Sequence, residues 1–398
     1  METRYTIDSK DKVRIWNCWA GKDVDGNWGV FTQDGLLDGK LKEATHKQSK
    51  EMNIGKSNYL STEDQAHVMV TQAITKKEKK DYFKTIEEAQ TTEKLFLPTG
   101  CPSGMKWSEW KDKSHIVYPA LASGKLDGSK LVMLKREGRA YSQTRSGKEH
   151  KNFRHFEQYL EQFFEDYPNL VLDGEAYNHE YRDRFEDLQS IFKKQTPTEE
   201  QRKLSKDVSK FYVYDVIDKN KPDLTAEERQ NLLSELFSLE LAGIDSLVYW
   251  PSHVVNSEAE FDEFHNQMLE DGFEGSILKI SDAPYVCRKN KFVLKRKEVF
   301  DAEFKIIDII EGEGTKAGVA GKVIISLVHT DGMNDSDFAK LVGETQEAGM
   351  GAGLDNDACR AILDNKEEYI GQMATVEYFG ITKHGKCRFP KYKSIRND

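Results

Sequence analysis

No apolar run in this 398-residue chain approaches the roughly 20 residues that a membrane span requires. The opening segment, "METRYTIDSKDK", lacks the apolar core of a secretory signal. Cysteine is scarce. Cys18, Cys101, Cys287, Cys359 and Cys387 are scattered, odd in number and never at CxxC spacing. That argues against a zinc finger and a disulfide framework, and it fits a reducing compartment inside the cell. There is no internal repeat and no low-complexity tract. What remains is an ordinary soluble composition, 38% hydrophobic, 11% aromatic and 32% charged, with length for two or three domains.

Positive charge is also in deficit, for the formal net charge is -10. Its distribution matters more than its sum. "CRKNKFVLKRK" (Cys287–Lys297) and "TKHGKCRFPKYKSIR" (Thr382–Arg396) each carry six cationic side chains and no acid. An acidic chain with two such stretches can be basic on one face, which suits an anionic ligand.

Three segments follow from the patterning. In residues 1–96, "KVRIWNCWAG" and "WGVFTQDG" have strand composition on either side of a "VDGN" turn. A helix is expected from Ser61, with Thr62 and Gln65 as its capping box and lysines at its far end. The Pro/Gly-rich "LPTGCPSG" marks a joint near residue 97. Residues 97–300 mix strands ("LVMLKREGRAYSQ", "NLVLDGEAY", "KFYVYDVID", "EGSILKI", "KFVLKRK") with amphipathic helices such as "HFEQYLEQFFEDY". One helix begins at a Thr225–Glu228 capping box and another stops at Gly272. The strands and helices do not alternate strictly, so the class is α+β. Residues 301–398 read as short strands with glycine turns and a helix near "DNDACRAILD", the composition of a small β-barrel.

Five short motifs can carry chemistry. In "KLDG", Lys125 is a nucleophile only if its amine is unprotonated, which nearby cations would favour. Asp127 lies two residues on, and Gly128 lets backbone approach a ligand. Taken alone this is an exposed turn. In "LDGEAY", Asp173 and Glu175 share one face of a strand and can hold a hard cation or ribose hydroxyls. An Asp-Gly turn reads equally well. "FEGSILK" adds Glu274 and Lys279. In "FVLKRK", Lys295 and Lys297 share a strand face and repel unless an anion sits between them, and a triphosphate would serve. "RFPKYKSIRND" closes the chain, with Phe389, Tyr392 and Ile395 available to anchor it and Arg396 beside the end.

In this order, with "FYVYD" between the second and third, the motifs resemble those of the covalent nucleotidyltransferases, most closely the ATP-dependent DNA ligases, over about residues 115–398. The resemblance implies an adenylation domain at 97–300 and an OB-fold barrel at 301–398. It implies that Lys125 takes AMP from ATP, that Asp127 supports nick sealing and that Lys130, in a place often held by Arg, touches the nucleotide. Glu175 would contact the ribose, Tyr214 would stack on adenine, and Lys279, Lys295 and Lys297 would meet the phosphates. Arg145 in "TRSGK" and Arg288 would grip the nick's 5′-phosphate. Asp173 and Glu274 would hold Mg²⁺, for which Mn²⁺ can substitute, and Arg396 would orient the leaving pyrophosphate. The expected partner is nicked duplex DNA, clamped by a monomer. Ser123 stands where many relatives carry an acid or amide that reads adenine, so base selectivity would rest on backbone contacts. The family's last motif usually continues with a basic residue where this chain stops at Asp398. The first segment resembles a WGR-type DNA-binding module. Trp28 and Gly29 match its central pair, Val30 replaces its Arg, and at least two of Trp16, Trp19 and Trp28 are expected in a sheet core. An RNA ligase, a capping guanylyltransferase and a non-catalytic DNA-binding protein are the competing readings. An NAD-dependent ligase is disfavoured, since no four-cysteine zinc site exists.

Overall fold

The computed structural model describes residues 1–8, 10–55, 57–92, 96–100, 107, 116–313 and 316–396. Cys101, most of the Pro/Gly joint, and the closing Asn397 and Asp398 lie outside them. Two compact units emerge, Met1–Phe96 and Leu97–Asp398. No helix among the described residues is long and apolar enough to cross a membrane. The four cysteines among them, Cys18, Cys287, Cys359 and Cys387, are free.

The first unit is an antiparallel sheet of four strands in sequence order: β1 (Glu2–Ile7), β2 (Val13–Lys22), β3 (Trp28–Leu36) and β4 (Thr45–Gln48). Helix Thr62–Glu78 covers one face, packing Met69, Val70, Ala73 and Ile74 on Trp16, Cys18 and Val30. Its capping box is Ser61 with Asp64, one residue before the expected Thr62–Gln65 pair. The Ser61 hydroxyl accepts from the Asp64 N–H, and the Asp64 carboxylate accepts in return. Strand alternation puts Trp16 in the core and Trp19 on the opposite face, stacked on Phe31 with ring centroids 5.4 Å apart. Trp28 is half-buried near His67. Gly29 is required, because a side chain there would meet the His46 ring and the Lys47 carbonyl.

The second unit is α+β, as expected. One sheet has the order β11-β10-β9-β7-β8, formed by Leu247–Tyr249, Lys210–Asp218, Leu170–Tyr177, Ser129–Arg136 and Arg139–Gln143. A second has the order β12-β6-β13-β15, formed by His253–Val255, Ala120–Gly124, Gly275–Ile280 and Val293–Lys297. A short parallel pair joins β5 (Thr99–Gly100) to β14 (Arg288–Lys289). Helix Arg154–Asp166 lays Phe156, Leu160, Phe163 and Phe164 on the first sheet, with Tyr167 packed at the edge, but Tyr159, which the spacing also puts in the stripe, is exposed. The Thr225–Glu228 capping box is present, and Gly272 ends helix Glu258–Glu270 at φ +84. From Phe300 the chain closes a five-stranded barrel in the order β16-β17-β18-β20-β19, formed by Phe300–Glu311, Ala320–Asp331, Thr345–Met350, Lys391–Ile395 and Met373–Tyr378. Five strands are the number of an OB-fold. Tyr392 and Ile395 anchor the last strand in this core, but Phe389 does not: it stands 65% exposed at φ +52.

Three buried histidines make this unit acid-sensitive. His150 bonds the Lys130 carbonyl, His155 the Ser209 hydroxyl and His265 the Ser276 hydroxyl. Burial pushes each imidazole from 6.5 down to about 4. The neutral form is the folded form, while the unfolded chain binds protons near 6.5. Their stabilisation is therefore complete above that pH and is lost as pH falls towards 4, by roughly 3 kcal/mol per residue. The urea midpoint should drop steeply over this window, and His155→Gln should flatten the slope. A midpoint that does not move would contradict this account.

Candidate active site

The site is assembled where β6 and β13 run antiparallel, with Gly124 opposite Ser276. The ladder continues one step beyond the strands. The Lys125 N–H donates to the Gly275 carbonyl at 2.9 Å, and the Glu274 N–H donates to the Lys125 carbonyl at 3.1 Å. Two motifs 149 residues apart are thereby fixed side by side, and their side chains form an ion pair. Glu274 has a second cation: its other carboxylate oxygen is held by Lys297 from the neighbouring strand β15. Gly275 sits at φ +137 with the Arg296 carbonyl behind it, a place that excludes any side chain.

Lys125 opens onto a cavity of about 370 Å³ lined by Ser123, Lys130, Arg145, Glu175, Tyr214, Ile277, Lys279, Lys295 and Lys297, among others. This volume is within the range of small-molecule sites. Strand alternation explains the paired lysines, because Lys295 and Lys297 project from the same face of β15. Glu175 lies beside Lys130 across β7 and β9, and burial raises its carboxyl to about 7 despite the nearby cations. Gly128 serves a different purpose from the one expected. A Cβ there would lie 2.5 Å from the Ala176 carbonyl and 2.6 Å from Glu175 Cγ, so the close approach is to β9 itself. Arg145 donates to the Thr99 carbonyl at 2.8 Å and reaches the cavity from the opposite wall.

The electrostatics of Lys125 reverse one expectation. Burial works to lower its amine pKa, but Glu274, with Glu175 and Asp127 behind it, overrides burial and leaves it raised. Glu274 would be raised by burial, and Lys125 and Lys297 hold it low instead. The Lys125 amine is thus an ammonium on a carboxylate, and the cations around it do not free it.

Asp173 and Lys279 are engaged in ways the motifs did not reveal. Asp173 is fully buried, ion-paired to Lys130 and accepting from the Tyr285 hydroxyl at 2.6 Å. It does not line the cavity. Lys279 lines it with its stem, but its ammonium is held by Asp215 and the Tyr214 carbonyl, both at 3.0 Å. The Tyr214 hydroxyl accepts from Lys130 at 2.5 Å, and its ring lies under both lysines. Two expected residues are elsewhere. Arg288 is exposed at φ +78 outside the lining, while its neighbour Lys289 is part of it. Arg396 ends β20 with its guanidinium on Asp331, 2.6 Å away, at a separate depression on the barrel.

The barrel contributes a different arginine. Arg388 grips Asp127 with two bonds of 2.7 and 3.2 Å, at a smaller cavity that also takes in Glu274, Lys297 and Phe379. Arg388 and Lys289 both lie in the acid-free basic stretches, which was the only sequence signal for either. Trp250 was also missed. Its indole N–H donates to the Gly124 carbonyl at 2.9 Å and so fixes the residue before Lys125.

A buried lysine and carboxylates around a nucleotide-sized cavity, facing a five-stranded barrel, agree with the matches to known proteins. Residues 115–297 match the family model of the ATP dependent DNA ligase domain. The matched stretch is just under half of the chain. A DNA ligase of Haemophilus influenzae is 25% identical to the chain over 235 residues, 58% of this chain and 73% of that protein. The DNA ligase of African swine fever virus (isolate Tick/Malawi/Lil 20-1/1983) is 26% identical over 151 residues, covering 37% of this chain. The matched stretch is about a third (33%) of that viral protein's length. Solved structures extend the likeness beyond the ligase domain as a matter of fold. One described as "Pmar-Lig_PreS3" superposes with a TM-score of 0.62 at 18% identity, over 84% of this chain and 73% of its own. One described as "DNA binding with a minimal scaffold: Structure-function analysis of Lig E DNA ligases" gives 0.55 at 21%, over 75% of this chain and 99% of its own.

Proposed function

We propose that the protein is an ATP-dependent DNA ligase that seals 5′-phosphate/3′-hydroxyl nicks in duplex DNA. The observation that carries this reading is the convergence of Lys125, Glu175, Lys295 and Lys297 on one cavity within the matched segment, with Glu274 ion-paired to Lys125 and Lys297 beside it. The Lys125 amine attacks the α-phosphorus of ATP, forming an N–P bond as the bond to pyrophosphate breaks. AMP then passes to the 5′-phosphate of the nick, and the 3′-hydroxyl displaces it. Lys295 and Lys297 spread the phosphate charge, Glu175 binds the ribose, Tyr214 and Ile277 line the base slot, and Arg145 with Lys289 faces the 5′-phosphate. Asp127, held by Arg388, is suited to the later steps, in which the barrel meets the nick.

Mg²⁺ fits this site in one form. Among the described residues no three His, Cys, Asp or Glu side chains form a metal cage. Asp173 is sealed off by Lys130 and Tyr285, which leaves Glu274, between Lys125 and Lys297 at the adjoining smaller cavity, as the carboxylate that would hold the ion. One carboxylate plus substrate phosphates is a usual Mg²⁺ arrangement, and the ion would neutralise phosphate charge. The first unit acts in this reading as a WGR-like DNA-binding module, supported by its Trp28-Gly29 pair and its four-stranded sheet covered by helix Thr62–Glu78.

Phe389 offers a specific test. A non-glycine residue at positive φ is strained, and Phe389 remains 65% exposed although its ring meets Phe379 edge-on and lies beside the Arg388 guanidinium. It is placed to pack against DNA. Phe389→Ala should lower nick sealing about 5- to 100-fold, the range of an aromatic contact with a base. Lysine adenylylation by ATP alone should fall much less. Equal loss in both assays would count against a DNA contact.

A further inference from the structure

Within the first unit, two cations share one carboxylate and two lysines at a helix end stand close by. Arg14 on β2 and Lys42 just beyond β3 both reach Asp34, at 3.2 and 3.1 Å. Lys77, in the last turn of helix Thr62–Glu78, stands over the rings of Tyr82 and Trp16, 4.3 and 5.0 Å from their centroids. Lys80 follows directly after the helix, its N–H on the Lys77 carbonyl. The neighbouring acid, Glu78, is turned to Arg4 at 2.9 Å and does not serve this group. Burial, together with the fields of Lys80, Arg14 and Lys42, depresses the Lys77 amine against the pull of Asp34.

Lysines beyond a helix C-terminus are ordinary, since they complement the helix dipole. That accounts for Lys76 and Lys79. It does not account for a half-buried Lys77 on two aromatic rings, facing three further cations that converge from β2, from the turn after β3 and from the helix end. Like charges drawn together in this way are stabilised by an anion lying across them. The unit has no general excess of charge to explain the cluster: residues 1–96 hold sixteen basic and sixteen acidic side chains. The spread of the four over separate elements suits an extended polyanion better than a single phosphate. Arg14 supplies a planar fork, and Lys42 and Lys80 are exposed.

We propose that Arg14, Lys42, Lys77 and Lys80 form a docking surface for the phosphodiester backbone of DNA. This rests on the reading of the chain as a DNA ligase, and it places a DNA contact of the first unit on its helix-covered side. The contact is to phosphates and carries no sequence preference.

The test uses the full chain and a fluorescent, 5′-phosphorylated nicked duplex, with Kd followed across a salt series. The variant Arg14→Gln/Lys42→Gln/Lys77→Met/Lys80→Gln should bind at least about tenfold more weakly. Its plot of log K against log salt should be shallower by about 2 to 4, at roughly 0.9 for each DNA phosphate no longer neutralised. Lys77→Met keeps the stem that packs on the rings. Should the fourfold variant unfold, Lys42→Gln/Lys80→Gln changes only exposed ammonium groups and should still flatten the slope by about 1 to 2. A folded variant whose Kd and slope match the parent overturns the proposal. The ligase reading is checked separately in the unaltered protein with ATP and no DNA. Absence of an AMP adduct there sinks that reading, whereas an adduct combined with an unchanged salt slope sinks only the patch.

Discussion

Lys125→Ala protein incubated with ATP and Mg²⁺ is expected to keep its unmodified mass, while the parent gains one AMP. Sealing of a 5′-phosphorylated nick should fall to background with it. The reason is positional as well as chemical. Lys125 is tied through both its backbone groups to Gly275 and Glu274, which fixes the point from which its side chain enters the cavity. Lys130, Lys279 and Lys297 each have a prior partner in Asp173, Asp215 and Glu274, and none stands in its place. The Glu274 pair also means that the amine is protonated at rest. In the proposed reaction it would become a nucleophile once another cation engaged Glu274. Lys125→Arg sharpens the test. A guanidinium keeps the ion pair with Glu274 and the fold, yet it does not deprotonate, so it too should yield no adduct. An AMP adduct at the parent level on either variant, located by peptide mapping, would move the nucleophile elsewhere and undo the assignment of the site.

Much of this site was legible because strands simplify the reading. Once "LDGEAY", "EGSILK" and "FVLKRK" are strands, period-two alternation decides which side chains share a face. Lys295 with Lys297 then follows from alternation, whereas Lys125 beside Glu274 depends on a pairing across 149 residues that no local pattern shows. The helix stripe Phe156, Leu160, Phe163 and Phe164 was equally plain, since a 3.6-residue period has few other meanings. What stayed hidden depends on contacts across the chain. No local pattern says that Arg388, 261 residues away, binds Asp127, nor that Arg396 turns instead to Asp331. Which arginine of a basic stretch faces the nucleotide depends on how the barrel lies against the ligase domain. The partners of buried charges were hidden for the same reason. Asp173 and Lys279 look like free functional groups in the sequence, and Tyr285 and Asp215 take up part of their capacity. The Ser61–Asp64 cap was missed by one residue because serine and threonine adjoin there, and hydroxyl geometry alone decides between them.

The largest effect on stability is expected at Asp215, which no motif singled out as more than part of "FYVYD". Its carboxylate takes Arg229 at 2.7 and 3.3 Å and Lys279 at 3.0 Å, with all three side chains at most 5% exposed. Burial would raise its pKa, but the fields of Lys279 and Arg229 hold it below the usual range, so it is ionised at neutral pH. Asp215→Ala leaves two cations buried with no carboxylate between them. Stranding one partner of a buried pair costs about 3–5 kcal/mol, a large part of a domain's stability. Arg229 keeps the Leu224 and Ala283 carbonyls at 2.7 and 3.4 Å and Lys279 keeps the Tyr214 carbonyl at 3.0 Å, so Lys279 is left with fewer partners. The double variant Asp215→Ala/Lys279→Met should therefore recover a sizeable part of the loss in urea unfolding, because it replaces the stranded ammonium with an apolar side chain of similar length. Recovered stability need not restore adenylylation. Lys279 also lies against the Tyr214 ring and lines the cavity, so the double variant should fold better than Asp215→Ala and still form Lys125-AMP more slowly than the parent. If the double variant is no more stable than the single one, the three charges do not act as the coupled unit described here.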